Sequence, residues 1–387
     1  MDEFLSAHGG PFYELQRQLG LLRDNAFRAG SRALLFVGIA WAIPLILSVS
    51  EGHAFGDVAE RPFLLDPGPT ARFLIAIGLF MLMEFQVERK LRLHLNQFFR
   101  APLVAPSSSN QAASAISKAL KRRDSPVAEL MCVVIACVLT GLSYPGVVQV
   151  GFASWRIRLA ADGPHLTLAG WWCLLVSAPI FFFLFFRWLW RHHVWGLLLR
   201  DMAKLDLRLT ASHPDGSGGL RFIGQYPNVY SVFVFAISCV VAATVANQLL
   251  HETLSLTVYS SVMGVWLAIV LALFAWPLMA FVGPLSKLKQ ETTLIASSQA
   301  TNRARATERE IIGQNVSGSD AALNEGKSAD VADPTKLYET SRKLWTLLVT
   351  RDALVPVAAA ALIPLIAAGA TQLPVKEPVK VAKNLLL

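Results

Sequence analysis

The chain has 387 residues, of which 54% are hydrophobic and only 16% charged, where soluble domains carry roughly a quarter charged residues. Its mean hydropathy is +0.46 and its apolar residues fall in blocks, so it lacks the polar surface to cover a water-soluble core. The net charge of +8 suits nucleic acid on its face, but no basic stretch carries an interleaved aromatic pattern or a reader motif, and nucleic acid is excluded as a partner.

Taken in chain order, residues 1–32 form a cytoplasmic arm in which Phe12, Leu15, Leu19 and Leu22 follow Pro11 at helical spacing, an amphipathic stripe suited to a membrane surface. Seven apolar blocks follow, at Ala33–Ser50, Ala71–Val87, Val127–Ser143, Leu166–Phe186, Pro227–Leu250, Ser260–Val282 and Ala353–Ala370. Each is long enough to cross roughly 30 Å of hydrocarbon as a helix. The first has no small-residue cleavage site placed as in a signal peptide and reads as an uncleaved anchor. The seventh is alanine-rich and interrupted by Pro356 and Pro364, so six spans plus one broken or re-entrant segment is the alternative. The expected fold is therefore all-α, a polytopic transmembrane helical bundle of about seven spans with cytoplasmic helical extensions.

Residues 33–283 hold six spans and their helical connections, 284–352 a cytoplasmic segment, and 353–387 the last span with a short tail. Glu88 to Phe99 and Arg191 to Leu209 mix charge with apolar residues and extend the second and fourth spans as helices; Leu337, Leu344, Trp345 and Leu348 make a further amphipathic stretch. Residues 313–334 are polar and read as a disordered linker, with Ala105 to Ser114 as a shorter flexible one. Three hairpins recur at similar intervals without residue-level identity, a topological echo and not a repeat.

Counting Lys and Arg between spans places 28 of the 35 on one side with the N-terminus and 7 on the other. Such a bias sets the N-terminus in the cytoplasm and, with seven spans, the C-terminus outside. Trp171 and Trp172 at one end of the fourth span, and Trp188, Trp190 and Trp195 beyond the other, suit interfacial anchors. Pro44, Pro179 and Pro277 lie within spans and are expected to kink them. Cys132, Cys137, Cys173 and Cys239 lie in apolar blocks without C-x-x-C spacing and read as small hydrophobes.

Two sets of residues stand out. The string His213-Pro214-Asp215-Gly216-Ser217-Gly218-Gly219-Leu220 combines a residue barred from helical geometry by the following proline with strong turn chemistry. Its plainest reading is a helix stop and tight turn. The functional alternative gives His213 and Asp215 a cation, or the amides of Gly216, Gly218 and Gly219 an anion. Two candidate ligands are too few for a closed metal site, and the GK[ST] ending of a P-loop is missing. The string resembles an HPDG-x-GGL loop of polytopic bacterial inner-membrane proteins; the resemblance implies the layout and the bacterial inner membrane, and no activity.

The second set is Glu84, Glu129 and Arg187, ionisable residues at similar depth near the cytoplasmic ends of spans two, three and four, costly there and hence candidates. Arg187 is expected to pair with Glu84 or Glu129, structurally or as a relay. Asn247 and Gln248 suit interhelical hydrogen bonds, and His192 and His193 suit cationic anchoring at the membrane surface. No catalytic signature, metal ligand set or cofactor motif is recognised. Three classes follow: a membrane scaffold or signalling component with a cytoplasmic protein partner, then a small-solute or ion transporter or channel, then a membrane enzyme using His213 and Asp215.

Overall fold

The computed structural model describes residues 9–21, 29–55, 61–148, 154–160, 163–251, 255–315, 317, 334–371 and 376–386. The chain is a polytopic helical membrane protein, all-α among the described residues but for one small hairpin. After the short α1 (Pro11–Gln18) come α2 (Ala29–Ser50), α3 (Pro67–Leu82), α4 (Glu84–Arg100), α5 (Ser109–Arg123) and α6 (Pro126–Val148). The hairpin β1 (Ile157–Ala160) and β2 (Gly163–Leu166) pairs antiparallel, Ile157 opposite Leu166. Then follow α7 (Leu168–Met202), α8 (Ser231–His251), α9 (Leu256–Leu278), α10 (Val282–Ile312), α11 (Pro334–Arg342), α12 (Arg351–Gly369) and α13 (Lys376–Leu386).

Among the described residues six helices are long and apolar enough to cross a membrane, and a seventh if α3 and α4, bent by 40° at their junction, count as one. The expected irregular span is thus misplaced. The seventh block is one continuous helix despite Pro356 and Pro364, packed against α8 and α9, and the break falls at Met83 in the second block. Leu22 and most of the expected linker 313–334 lie outside the described residues; Gly313, in a left-handed conformation, caps α10.

Side chains from neighbouring helices explain how the prolines are tolerated. Proline has no N–H to offer the preceding turn, so one carbonyl is left open. Pro277 opens Leu273, whose oxygen accepts from His192 Nε2 at 3.1 Å. Pro356 opens Asp352, which accepts from the Asn228 amide at 3.3 Å. Pro44 follows a wide π turn at Gly38–Ala42, in which Ile43 bonds back to Gly38. In that register Pro44 leaves Ile39 open, and the Trp172 indole donates to it at 2.9 Å. A second π turn, Cys173–Ser177, precedes Pro179 in the same way. Pro44, Pro277 and Pro356 thus mark places where one segment is hydrogen-bonded to another.

Two further expectations are corrected. Residues 106–123 are helical, not a flexible linker, because Pro106 fits a first turn and the alanines that follow are strong helix formers. Residues after Arg342 leave the helix, so Leu344 and Leu348 are buried by an irregular segment while Trp345 stays exposed.

Among the described residues the long helices overrun the apolar layer at one end. There α4, α5, the last turns of α7, and α10 with α11 form a helical layer, called here the extension end; residues 51–55, 61–66 and the β1–β2 hairpin mark the short-loop end. Trp188 and Trp195 are buried in the bundle, not interfacial, and Trp188 donates to the Phe80 carbonyl at 3.3 Å.

Candidate functional site: a buried ion network and a loop hub

Where the spans meet the extension layer, α2, α4, α6 and α7 bring six charged side chains together: Arg32, Glu84, Glu88, Glu129, Arg187 and Arg191, all buried. Glu84 is the centre. Its carboxylate meets Arg32 at 2.6 Å, Arg187 at 3.1 Å and Arg191 at 3.4 Å. Arg187 also reaches Glu129 at 3.1 Å through Nε, so it bridges both carboxylates. Glu88 lies one turn beyond Glu84 and within electrostatic reach of Arg191. Three positive and three negative groups cancel, which is the condition under which so many charges can share a low-dielectric site.

The free oxygen of Glu129 is used by the N-terminal arm. Its Oε2 accepts from the Phe12 amide at 2.7 Å, capping α1 from another helix. The Phe12 ring lies under the Arg187 guanidinium at 4.8 Å and edge-on to Phe183 at 5.0 Å. Gly10 has φ +89°, and a Cβ there would stand 2.6 Å from Glu129 Oε1. Leu15 and Leu19 of the expected stripe remain exposed.

Sequence reasoning singled out Glu84, Glu129 and Arg187, and the structure brings them together. It missed Arg32, Glu88 and Arg191. The available signal was helical spacing: Glu88 follows Glu84, and Arg191 follows Arg187, by four residues. Nor was the position of His192 foreseen. It is buried, not a surface cation, with Phe274 at 5.0 Å and Tyr230 at 5.2 Å edge-on to it. His193 instead stacks on Trp276 at 5.2 Å.

The 213–220 string forms a tight loop outside the spans. Asp215 Oδ1 accepts from the amides of Ser217 at 2.8 Å and Gly219 at 3.1 Å, and Oδ2 from Arg221 at 3.1 Å. His213 Nδ1 lies 2.9 Å from Oδ1. Partial burial alone would raise the Asp215 pKa, but these amides and His213 hold it below the usual value. Gly216, Gly218 and Gly219 all have positive φ, so the turn needs glycine there. The carboxylate is thus taken up by the loop's own backbone.

What the loop holds in place is the crossing of the extension-end connections. Leu103 accepts from the Arg208 amide at 2.7 Å, and Asp206 from that of Ala105 at 3.0 Å, joining the first connection to the second. Gly218 faces Leu285 and Leu288 of α10. Gly216 accepts from the Trp345 amide at 2.9 Å, fixing the return of the chain toward α12. No group of three or more potential metal ligands occurs among the described residues. No protein-family model matches the chain, and it matches no curated protein and no solved structure.

Proposed function

We propose that this protein is a non-enzymatic membrane scaffold or signalling component of the bacterial inner membrane, which presents its extension end to a cytoplasmic protein partner. The observation that carries the reading is helix α10. Together with α9 it is continuous from Leu256 to Ile312, so at 1.5 Å per residue Leu294 lies about 24 Å and Ile311 about 50 Å beyond Leu278. Leu294, Ile295, Ile311 and Ile312 are all exposed. Apolar side chains that far from the hydrocarbon are beyond the reach of acyl chains, and a protein surface is their natural cover. The charge bias toward this end supports a cytoplasmic setting. The ion network and the loop hub supply the rigid base that a docking layer requires.

The test is photo-crosslinking in cells from residues 295 and 312, with mass spectrometry of the adducts. A discrete soluble protein captured at both positions, and lost in Ile311→Glu, is the expected result. Adducts with a second copy only, or with none, would overturn the reading, and a solute-dependent rise in melting temperature would then favour transport.

A further inference from the structure

A second set of charged groups sits at the short-loop end, away from the docking layer. Asp66 precedes α3 and accepts from the Gly68 amide at 2.8 Å, the Asn247 side-chain amide at 3.0 Å and the Trp155 indole at 2.9 Å. These donors are neutral, and between them they occupy both carboxylate oxygens. Arg156 comes no nearer than 3.9 Å to Asp66, with its guanidinium 4.5 Å above the Trp155 ring. Its Nε is buried without a hydrogen-bond partner.

Arg72 stands on a π turn, Thr70–Ala76, in the first part of α3. It is half-buried, lies within electrostatic reach of both Arg156 and Asp66, and makes no hydrogen bond or ion pair among the described residues. Two guanidinium groups therefore lie within electrostatic reach of one carboxylate that neutral donors already fill. Among the described residues two cations thus share one anion, and the site holds unused N–H donors in a partly desolvated setting, where leaving them unmade is costly. The guanidinium fork matches the spacing of phosphate oxygens. The π turn carrying Arg72 packs against the π turn of α2, and such turns are frequent at functional positions.

We propose that Arg72 and Arg156 form an anion site at the short-loop end that takes a phosphate-type oxyanion. Free phosphate and the phosphate of an acidic lipid headgroup share this chemistry. The site is independent of the scaffold reading, since it uses neither α10 nor the loop at 213–220.

The experiment uses the full chain in a maltoside detergent, which brings no phosphate of its own. Thermal unfolding is followed against inorganic phosphate, with chloride at equal ionic strength as control, and separately against a short-chain phosphatidylglycerol. The melting temperature is expected to rise saturably. A response to inorganic phosphate assigns a free anion, and a response to phosphatidylglycerol alone assigns a headgroup. Arg72→Gln and Arg156→Gln each weaken the apparent affinity by about tenfold, the loss expected for one charge-assisted contact. Arg72→Lys and Arg156→Lys keep the charge but not the fork, guard against a variant that fails to fold, and weaken it less. No saturable rise with either compound, or wild-type affinity in all the variants that fold, would overturn the proposal.

Discussion

Glu84 meets three guanidinium groups in a buried site, and its removal leaves three positive groups with only Glu88 and Glu129 to balance them. Breaking a buried pair by deleting one partner costs about 3–5 kcal/mol. Glu84→Gln, which keeps the shape and removes the charge, is expected to lower stability in detergent by that order, read from denaturant or thermal unfolding; a wild-type transition would show that the network is not what ties the four helices. Asp215 gives a pH signature of its own. Its pKa is depressed in the folded protein, so the stability it contributes is present above the ordinary carboxylate range and is lost as pH falls through the lower folded value. Protection of the Ser217, Gly219 and Arg221 amides, which donate to Asp215, should therefore be high near neutrality and fall in acid, once exchange is corrected for its intrinsic pH dependence. In Asp215→Asn protection should be low throughout, and equal protection factors for the two proteins would refute the capping role. Arg187 and its two carboxylates could be found from sequence because three charges at one depth have few partners available. Glu88 and Arg191 were within reach of the same argument, one helical turn on from Glu84 and Arg187; Arg32 was not, because a cation at the edge of an apolar block looks the same whether it marks topology or lies buried.

At the scale of elements, the apolar blocks were legible because hydrocarbon imposes length and composition directly. Their irregularities were not. A proline reads as a break because it removes an N–H, yet whether the helix breaks depends on whether a distant donor such as Asn228, His192 or Trp172 reaches the opened carbonyl. The bend at Met83 has no proline or glycine beside it to announce it. Close approach of helices was equally hidden: Gly196 of α7 leaves no room for a Cβ beneath Trp276 of α9. Gly196→Val is therefore expected to destabilise by about 1–3 kcal/mol through overpacking, measured by thermal unfolding, and a wild-type melting temperature would contradict that packing. The arm gives a separate test. Gly10→Ala combines a strained φ with a collision at Glu129, so α1 should undock and the exposed Arg17 should be cut by trypsin several-fold faster. An unchanged cleavage rate would mean that α1 is not held by Glu129.

At the scale of the whole molecule, the two ends are built for different tasks. The extension end is joined by a neutral ion network, by connections crossing at the 213–220 loop, and by a helix that carries apolar groups far from the bilayer. The short-loop end is compact and leaves two arginines with donors to spare. A cytoplasmic partner requires the extension end to face the cytoplasm, as the excess of Lys and Arg on its connections predicts. Single reporter cysteines at Ser297 on α10 and Arg158 on the hairpin, in a protein with Cys132, Cys137, Cys173 and Cys239 replaced, test it directly with a membrane-impermeant maleimide. Residue 158 is expected to label in intact cells and residue 297 only after the membrane is opened. Labelling of residue 297 in intact cells would place α10 outside and contradict a cytoplasmic partner.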